Sequence, residues 1–132
     1  MSEIVGVGVD LCEIARIEKA IARPGFLERW YTDGEREVIA SRGKGAAQTA
    51  AAMFAAKEAV AKALHTGFAA GVLPQDIAVT YDALGAPGVA LTGGAKERFH
   101  TLGGTRIHLS LTHEDGMAAA FAVAEGDHIR RP

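Results

Sequence analysis

"GVGVDLCEIARI", residues 6–17, begins as a strand and becomes a helix with no turn residue between the two. Successive strand side chains point to opposite faces, so Val5, Val7, Val9 and Leu11 share one side while Gly6, Gly8 and Asp10 share the other. One face is emptied and then given a single carboxylate. Glycine weakens a strand interior, and one use of it there is to admit a ligand or another backbone at close range. From Ile14 the period changes: Ile14, Ile17 and Ile21 recur at helical spacing, with Arg16, Lys19 and Arg23 on the opposite face. Pro24 and Gly25 end this helix.

Working outward from that stretch, residues 26–31 can form a further helical turn or two, and 33–41 reads as a short helix capped by Asp33. "SRGKGAAQ" (41–48) is a loop, after which alanine and straight-chain residues predict the longest helix, from Ala46 to about Leu64, closed by Thr66-Gly67. "DIAVTYD" (76–82) and "GVALTG" (88–93) flank a Gly-Ala-Pro-Gly turn and predict a hairpin. A helix over 94–102 follows. "TRIHLSLTH" (105–113) alternates strictly, with Ile107, Leu109 and Leu111 on one face and His108, Ser110 and Thr112 on the other. "GMAAAFAVAE" (116–125) is apolar on both faces, which predicts a central strand. Without a regular βαβ rhythm, the order of elements favours an α+β fold.

The chain has 132 residues, 48% of them apolar and 23% charged, which fits one soluble globular domain over 1–132. A net charge of −2 sets up no global field toward nucleic acid or membrane, so partners must be read from local sites. Cys12, the only cysteine, has no intramolecular partner and reads as buried filler. The N-terminus lacks the basic flank and apolar core of a signal peptide, so a reducing, cytoplasmic setting is expected. The Ala-rich helix carries Gln48, Lys57, Glu58 and Lys62 and falls short of the roughly 18 uncharged residues of a membrane span.

Lys57, Glu58 and Lys62 are the only charges of that helix. Phe54, Glu58 and Lys62 form one i, i+4 ridge beside the apolar stripe of Met53, Val60 and Leu64. Taken alone, Glu58 and Lys62 read as a solvated pair worth a few tenths of a kcal/mol. Asp10 adds a second carboxylate at a glycine-cleared strand end, and two carboxylates suit magnesium, which keeps several waters and shares its coordination with phosphates. Lys62, one turn beyond Glu58, could then hold a phosphate or protonate a leaving group. His113 ends a strand whose polar face bears His108 and Ser110; it is either structural or a donor to a phosphate. His65, His100 and His128 share no metal-ligand spacing with it, and one cysteine argues against zinc. The stripe Arg16, Lys19 and Arg23 is either a solvated face or a docking surface.

"GVGVDLCEIARI", "FAAKEAVAKALHTG" and "IHLSLTHEDGMAAAFAVAE", in this order and spacing, resemble the three motifs of the holo-acyl-carrier-protein synthases, the small bacterial 4'-phosphopantetheinyl transferases. The resemblance implies a mostly antiparallel sheet packed against one long helix and several short ones. Longer relatives hold two such units; a chain with one resembles the form that assembles as a homotrimer.

It further implies that Asp10 and Glu58 bind magnesium together with the pyrophosphate of coenzyme A. A serine hydroxyl of apo acyl carrier protein would attack the β-phosphate, a carboxylate-bound water would take its proton, and 3',5'-ADP would leave with help from Lys62. Coenzyme A contacts would come from Lys62, Thr66, Gly67 and His113, the last at the 3'-phosphate. Arg16, Lys19 and Arg23 would meet the acidic helix of the carrier protein. The chain departs from the family pattern at Met53, where arginine is usual, which turns attention to Arg42 and Lys44 as phosphate contacts, and at His65, where glycine is usual. Competing readings are a module that holds coenzyme A without turnover and a structural subunit that binds neither metal nor coenzyme.

Overall fold

A computed structural model of the chain describes residues 2–127; His128 lies outside them. The first strand, β1 (Ser2–Glu13), passes directly into α1 (Ile14–Ile21). Then come α2 (Phe26–Trp30), α3 (Asp33–Ser41), a 3-10 turn at Gly43–Gly45 and the long helix α4 (Ala46–Ala63). β2 (Ile77–Tyr81) and β3 (Pro87–Leu91) form the hairpin. α5 (Gly93–Thr101), β4 (Gly104–Glu114) and β5 (Met117–Asp127) complete the fold. The expected α+β architecture holds: an antiparallel three-stranded sheet in the order β1-β5-β4, a separate β2-β3 pair, and α4 laid over the sheet. β5 is the middle strand, as its two apolar faces demand. No helix among the described residues is long and apolar enough to cross a membrane.

The emptied face of β1 receives α4. A Cβ on Gly6 would lie 1.8 Å from the Ala63 carbonyl oxygen, and one on Gly8 would lie 1.9 Å from that of Ala59. The two glycines therefore admit another backbone rather than a ligand. The alanines Ala118, Ala120, Ala122 and Ala124 of β5 continue this low surface, and all four are buried. Small residues on both partners let helix and sheet approach closely enough to exclude water.

The other face of the sheet is different. Val7 is 53% exposed, Val9 59%, Leu11 62% and Phe121 48%, in a contiguous row set by the pairings Val7–Val123, Val9–Phe121 and Leu11–Ala119. His108, Ser110 and Thr112 of β4 extend this outer face, where the His108 Nε2 and a Glu125 carboxylate oxygen lie 2.9 Å apart.

Beneath α4 the aromatic rings of Phe26, Trp30, Phe54 and Phe68 pack together, Trp30 and Phe54 with centroids 4.5 Å apart. The cap of α3 is Thr32, not Asp33: its hydroxyl accepts from the Glu35 amide while a Glu35 carboxylate oxygen accepts from the Thr32 amide. That same buried carboxylate meets the Lys57 ammonium at 2.6 Å and accepts from the Val79 amide. Lys57 also donates to the carbonyls of Pro74 and Ile77, so all its capacity is used internally. Lys57 thus ties α3 and the start of β2 to α4; it does not border the core as a surface charge. Burial lowers its pKa, an effect that Glu35 opposes.

Candidate active site

Asp10 follows the two packing glycines on the same face of β1, where α4 turns its Glu58–Lys62 ridge toward the strand. The Lys62 ammonium donates to the Val9 carbonyl at 3.0 Å and to the Asp10 carboxylate at 3.2 Å. The expected Glu58–Lys62 pair within the helix gives way to this bond across the seam. Glu58 is partly buried, and its pKa is raised first by burial and next by the charge of Asp10, with Lys62 and Arg16 acting in the opposite sense. Two carboxylates and two cations therefore converge where β1, α1 and α4 meet.

This donor set fits a magnesium ion. The Asp10 carboxylate is close enough to disfavour the charge of Glu58, and the one exposed lysine beside them is shared between Asp10 and a carbonyl. Among the described residues no group of three or more His, Cys, Asp or Glu side chains could hold a metal, so any ion here would need further oxygens from water and phosphate. That is the coordination magnesium prefers. Cys12, two residues on, is buried, donates weakly to the Ala51 carbonyl at 3.4 Å, and has its thiol pushed up to about 11, chiefly by burial. It is packing, as expected.

The remaining expected contacts fall at the two ends of α4. Thr66 and Gly67 form the turn after its C-terminus, where both amides donate to the Ala61 carbonyl. The helix itself stops at Ala63, and His65 takes the left-handed conformation (φ 66°), its imidazole 2.8 Å from the Val5 carbonyl. At the other end, exposed Arg42 and Lys44 flank the N-terminus, and His113 lies 3.1 Å from the Gln48 side chain. His113 shares the parity of Leu109 and Leu111 and so faces the helix side of the sheet, away from His108 and Ser110. Gln48, which the sequence reading passed over as a break in an apolar run, belongs to this second group. From Gln48 to Glu58 the helix rises about 15 Å, so His113, beside Gln48, and Glu58 lie toward opposite ends of α4. Met53 is fully buried in the core and offers nothing to a phosphate. Arg16, Lys19 and Arg23 line an exposed groove along α1, with Arg23 over the Phe26 ring at 5.7 Å to its centroid.

Residues 6–122 match the family model of the 4'-phosphopantetheinyl transferase superfamily. The chain belongs to that superfamily. A phosphopantetheinyl transferase named holo-[acyl-carrier-protein] synthase, from Treponema denticola, is 46% identical over 123 residues, covering 93% of this chain and 99% of the relative. The holo-[acyl-carrier-protein] synthase of Neisseria meningitidis superposes with a TM-score of 0.82 at 34% identity, covering 92% of this chain and 98% of that one. That of Bacillus anthracis, solved in complex with CoA (3',5'-ADP), gives 0.79 at 35% identity and covers 94% and 98%. The chain is accordingly a phosphopantetheinyl transferase, and its Asp10–Glu58–Lys62 seam is the candidate for the chemistry.

Proposed function

We propose that the enzyme transfers the 4'-phosphopantetheine group from coenzyme A to a serine of apo acyl carrier protein, releasing 3',5'-ADP, and that it depends on magnesium. The observation that carries this reading is the Asp10 carboxylate held against Lys62 and beside Glu58 on the helix–strand seam. Asp10 and Glu58 would hold the metal, whose charge, when bound, neutralises the pyrophosphate and its transition state. The serine oxygen attacks the β-phosphorus and the bond to the bridging oxygen breaks. A water hydrogen-bonded to the carboxylates takes the serine proton, and Lys62 places its ammonium where charge grows on the departing phosphate.

A trimer supplies what one chain lacks. The outer row Val7, Val9, Leu11 and Phe121 is the kind of contiguous apolar surface that an isolated soluble chain rarely leaves open, and a second and third copy would cover it. His113, Gln48, Arg42 and Lys44, gathered at the N-terminus of α4, then serve the neighbouring site as the holders of the coenzyme 3'-phosphate, with the helix N-terminus adding its own attraction for anions. Thr66 and Gly67 stay with Lys62 at the opposite end of the helix. The α1 stripe docks the acidic carrier protein. A single buried thiol suits the cytoplasm, where fatty acid or polyketide synthesis uses holo carrier proteins.

Mass spectrometry of apo carrier protein incubated with the enzyme, coenzyme A and magnesium tests the proposal. A phosphopantetheine-sized gain on one serine, absent with chelator, is expected. Coenzyme binding with no such gain would instead favour a module that holds the coenzyme without turnover.

A further inference from the structure

A cleft of about 330 Å³ opens between β3, α5 and the first residues of β4. It exists because β3 and β4 belong to different sheets and share no ladder, while α5 bridges them by setting the Phe99 ring over Gly104, where a Cβ would lie 2.2 Å from the ring. Val89, Leu91, Phe99 and Ile107 form its apolar floor. Its rim carries Lys96, His100 and Arg106. Lys96 and His100 are one turn apart and share a face of α5. Arg106 follows an irregularity in the β4–β5 ladder between Gly104 and Arg106, the kind of feature that re-aims a side chain. No carboxylate lines the cleft. Among the described residues, none of these three side chains has an ion-pair or hydrogen-bond partner.

The cleft is remote from the carboxylate seam. Arg106 pairs in register with Glu125, and Glu125 with Ile4, whereas Asp10 lies six residues farther along β1, about 20 Å at strand rise. We propose that this cleft is a second ligand site, for a small organic phosphate whose body is flat or apolar. Three nitrogen-bearing side chains on a rim that no carboxylate lines suit a dianionic phosphate better than a single carboxylate; Glu125, opposite Arg106, is engaged by His108, and arginine with lysine supplies the fork and point charge that phosphates take. The floor of one aromatic and three aliphatic side chains accounts for the rest of the ligand, and the volume is at the lower end for a small-molecule pocket.

The test is a two-dimensional NMR titration of the full chain with phenyl phosphate, inorganic phosphate and phenol in separate arms. Phenyl phosphate should give saturable shifts at Phe99, His100 and Ile107, bound at least about tenfold more tightly than either half alone, because it uses rim and floor together. Lys96→Ala and Arg106→Ala should each weaken it by roughly tenfold, the value of one charge-assisted contact. Both residues are exposed, so the variants keep the fold, which the same spectra verify. Four results would overturn the proposal: no saturable shift at these residues, equal binding of phenol, unchanged affinity in both variants, or shifts confined to Asp10, Glu58 and the N-terminus of α4.

Discussion

The carbonyl oxygen of Ala59 occupies the space beside Gly8 so fully that a Cβ there would lie 1.9 Å away. Everything at the seam depends on this approach, because Lys62 reaches Val9 and Asp10 only while α4 lies that close to β1. Gly8→Ala must push helix and strand apart, and overpacking of this kind costs about 1–3 kcal/mol. Urea unfolding should report that loss, and phosphopantetheinyl transfer should fall further than stability alone explains. Gly34→Ala is the control: it sits within α3, a Cβ there meets nothing within 4 Å, and better helix propensity should add up to about 1 kcal/mol. Equal effects of the two substitutions would disprove the packing role.

The carboxylates give a second expectation. Asp10→Ala or Glu58→Ala should each abolish most transfer while leaving circular dichroism and unfolding midpoint near the parent's, because both removals relieve like-charge repulsion and Glu58 is only partly buried. Magnesium titration followed by calorimetry in the presence of coenzyme A should show weakened binding of the ion. Lys62→Ala should lower kcat more than it raises KM for the coenzyme, since the charge it answers grows in the transition state. Near-normal turnover in either carboxylate variant would remove the metal assignment.

How far these residues could be read from the chain alone differs by element. The strand-to-helix passage at 13–14, the long helix and the central position of β5 follow from periodicity, which backbone geometry imposes directly. The meaning of Gly6 and Gly8 does not: an empty face looks the same whether a ligand or a helix fills it. Lys57 and Glu58 are consecutive charges, yet one is fully buried and the other borders the site, because Lys57 has a partner, Glu35, that only tertiary packing brings to it. The alternation that sets Val7, Val9 and Leu11 on one side of β1 does not say whether that side is covered, and in the chain it is exposed. His113 was legible in part: strand parity assigns it to the leucine face, and Gln48 in the first turn of α4 was the unused signal of its neighbour.

Docking should respond to charge. Opposite charges mainly speed encounter and are screened beyond about 8–10 Å at ordinary ionic strength. Reversing Arg16 and Lys19 to glutamate should raise the carrier-protein concentration needed for half-maximal rate while coenzyme affinity stays unchanged, and salt should weaken the parent in the same direction. An unaltered carrier dependence in the double variant would exclude this face.

Alkaline pH reports on burial. Both tyrosines, Tyr31 and Tyr81, have their pKa values raised, in each case chiefly by burial, and the Tyr31 hydroxyl donates to the Ala50 carbonyl at 2.7 Å. The unfolded chain releases these protons near pH 10 and the folded chain keeps them, so the unfolded state binds fewer protons and stability falls as pH rises above about 10. Ionisation of Tyr31, read as tyrosinate absorbance at 295 nm, should therefore appear together with loss of the folded circular dichroism signal, while the half-buried Tyr81 titrates above its ordinary range. Both tyrosines titrating near pH 10 in a chain that remains folded would contradict the burial of Tyr31.

Assembly and chemistry meet in the distance between His113 and the carboxylates. His113 sits by Gln48, about 15 Å of helix rise from Glu58, so a trimer that shares its sites would combine Asp10, Glu58 and Lys62 of one protomer with His113 of the next. A closed three-fold ring repeats that contact at each interface. Asp10→Ala and His113→Ala proteins should each be poorly active alone. Every mixed ring nevertheless contains one interface at which both mutated positions are avoided. With random equal mixing after dissociation and reassembly, an interface pairs an intact Asp10 with an intact His113 about one time in four, so roughly a quarter of parental activity should return. Sedimentation confirms that the rings have re-formed. A site complete within one chain gives no such recovery, and mixtures no more active than the mean of their two parents would rule out the shared arrangement.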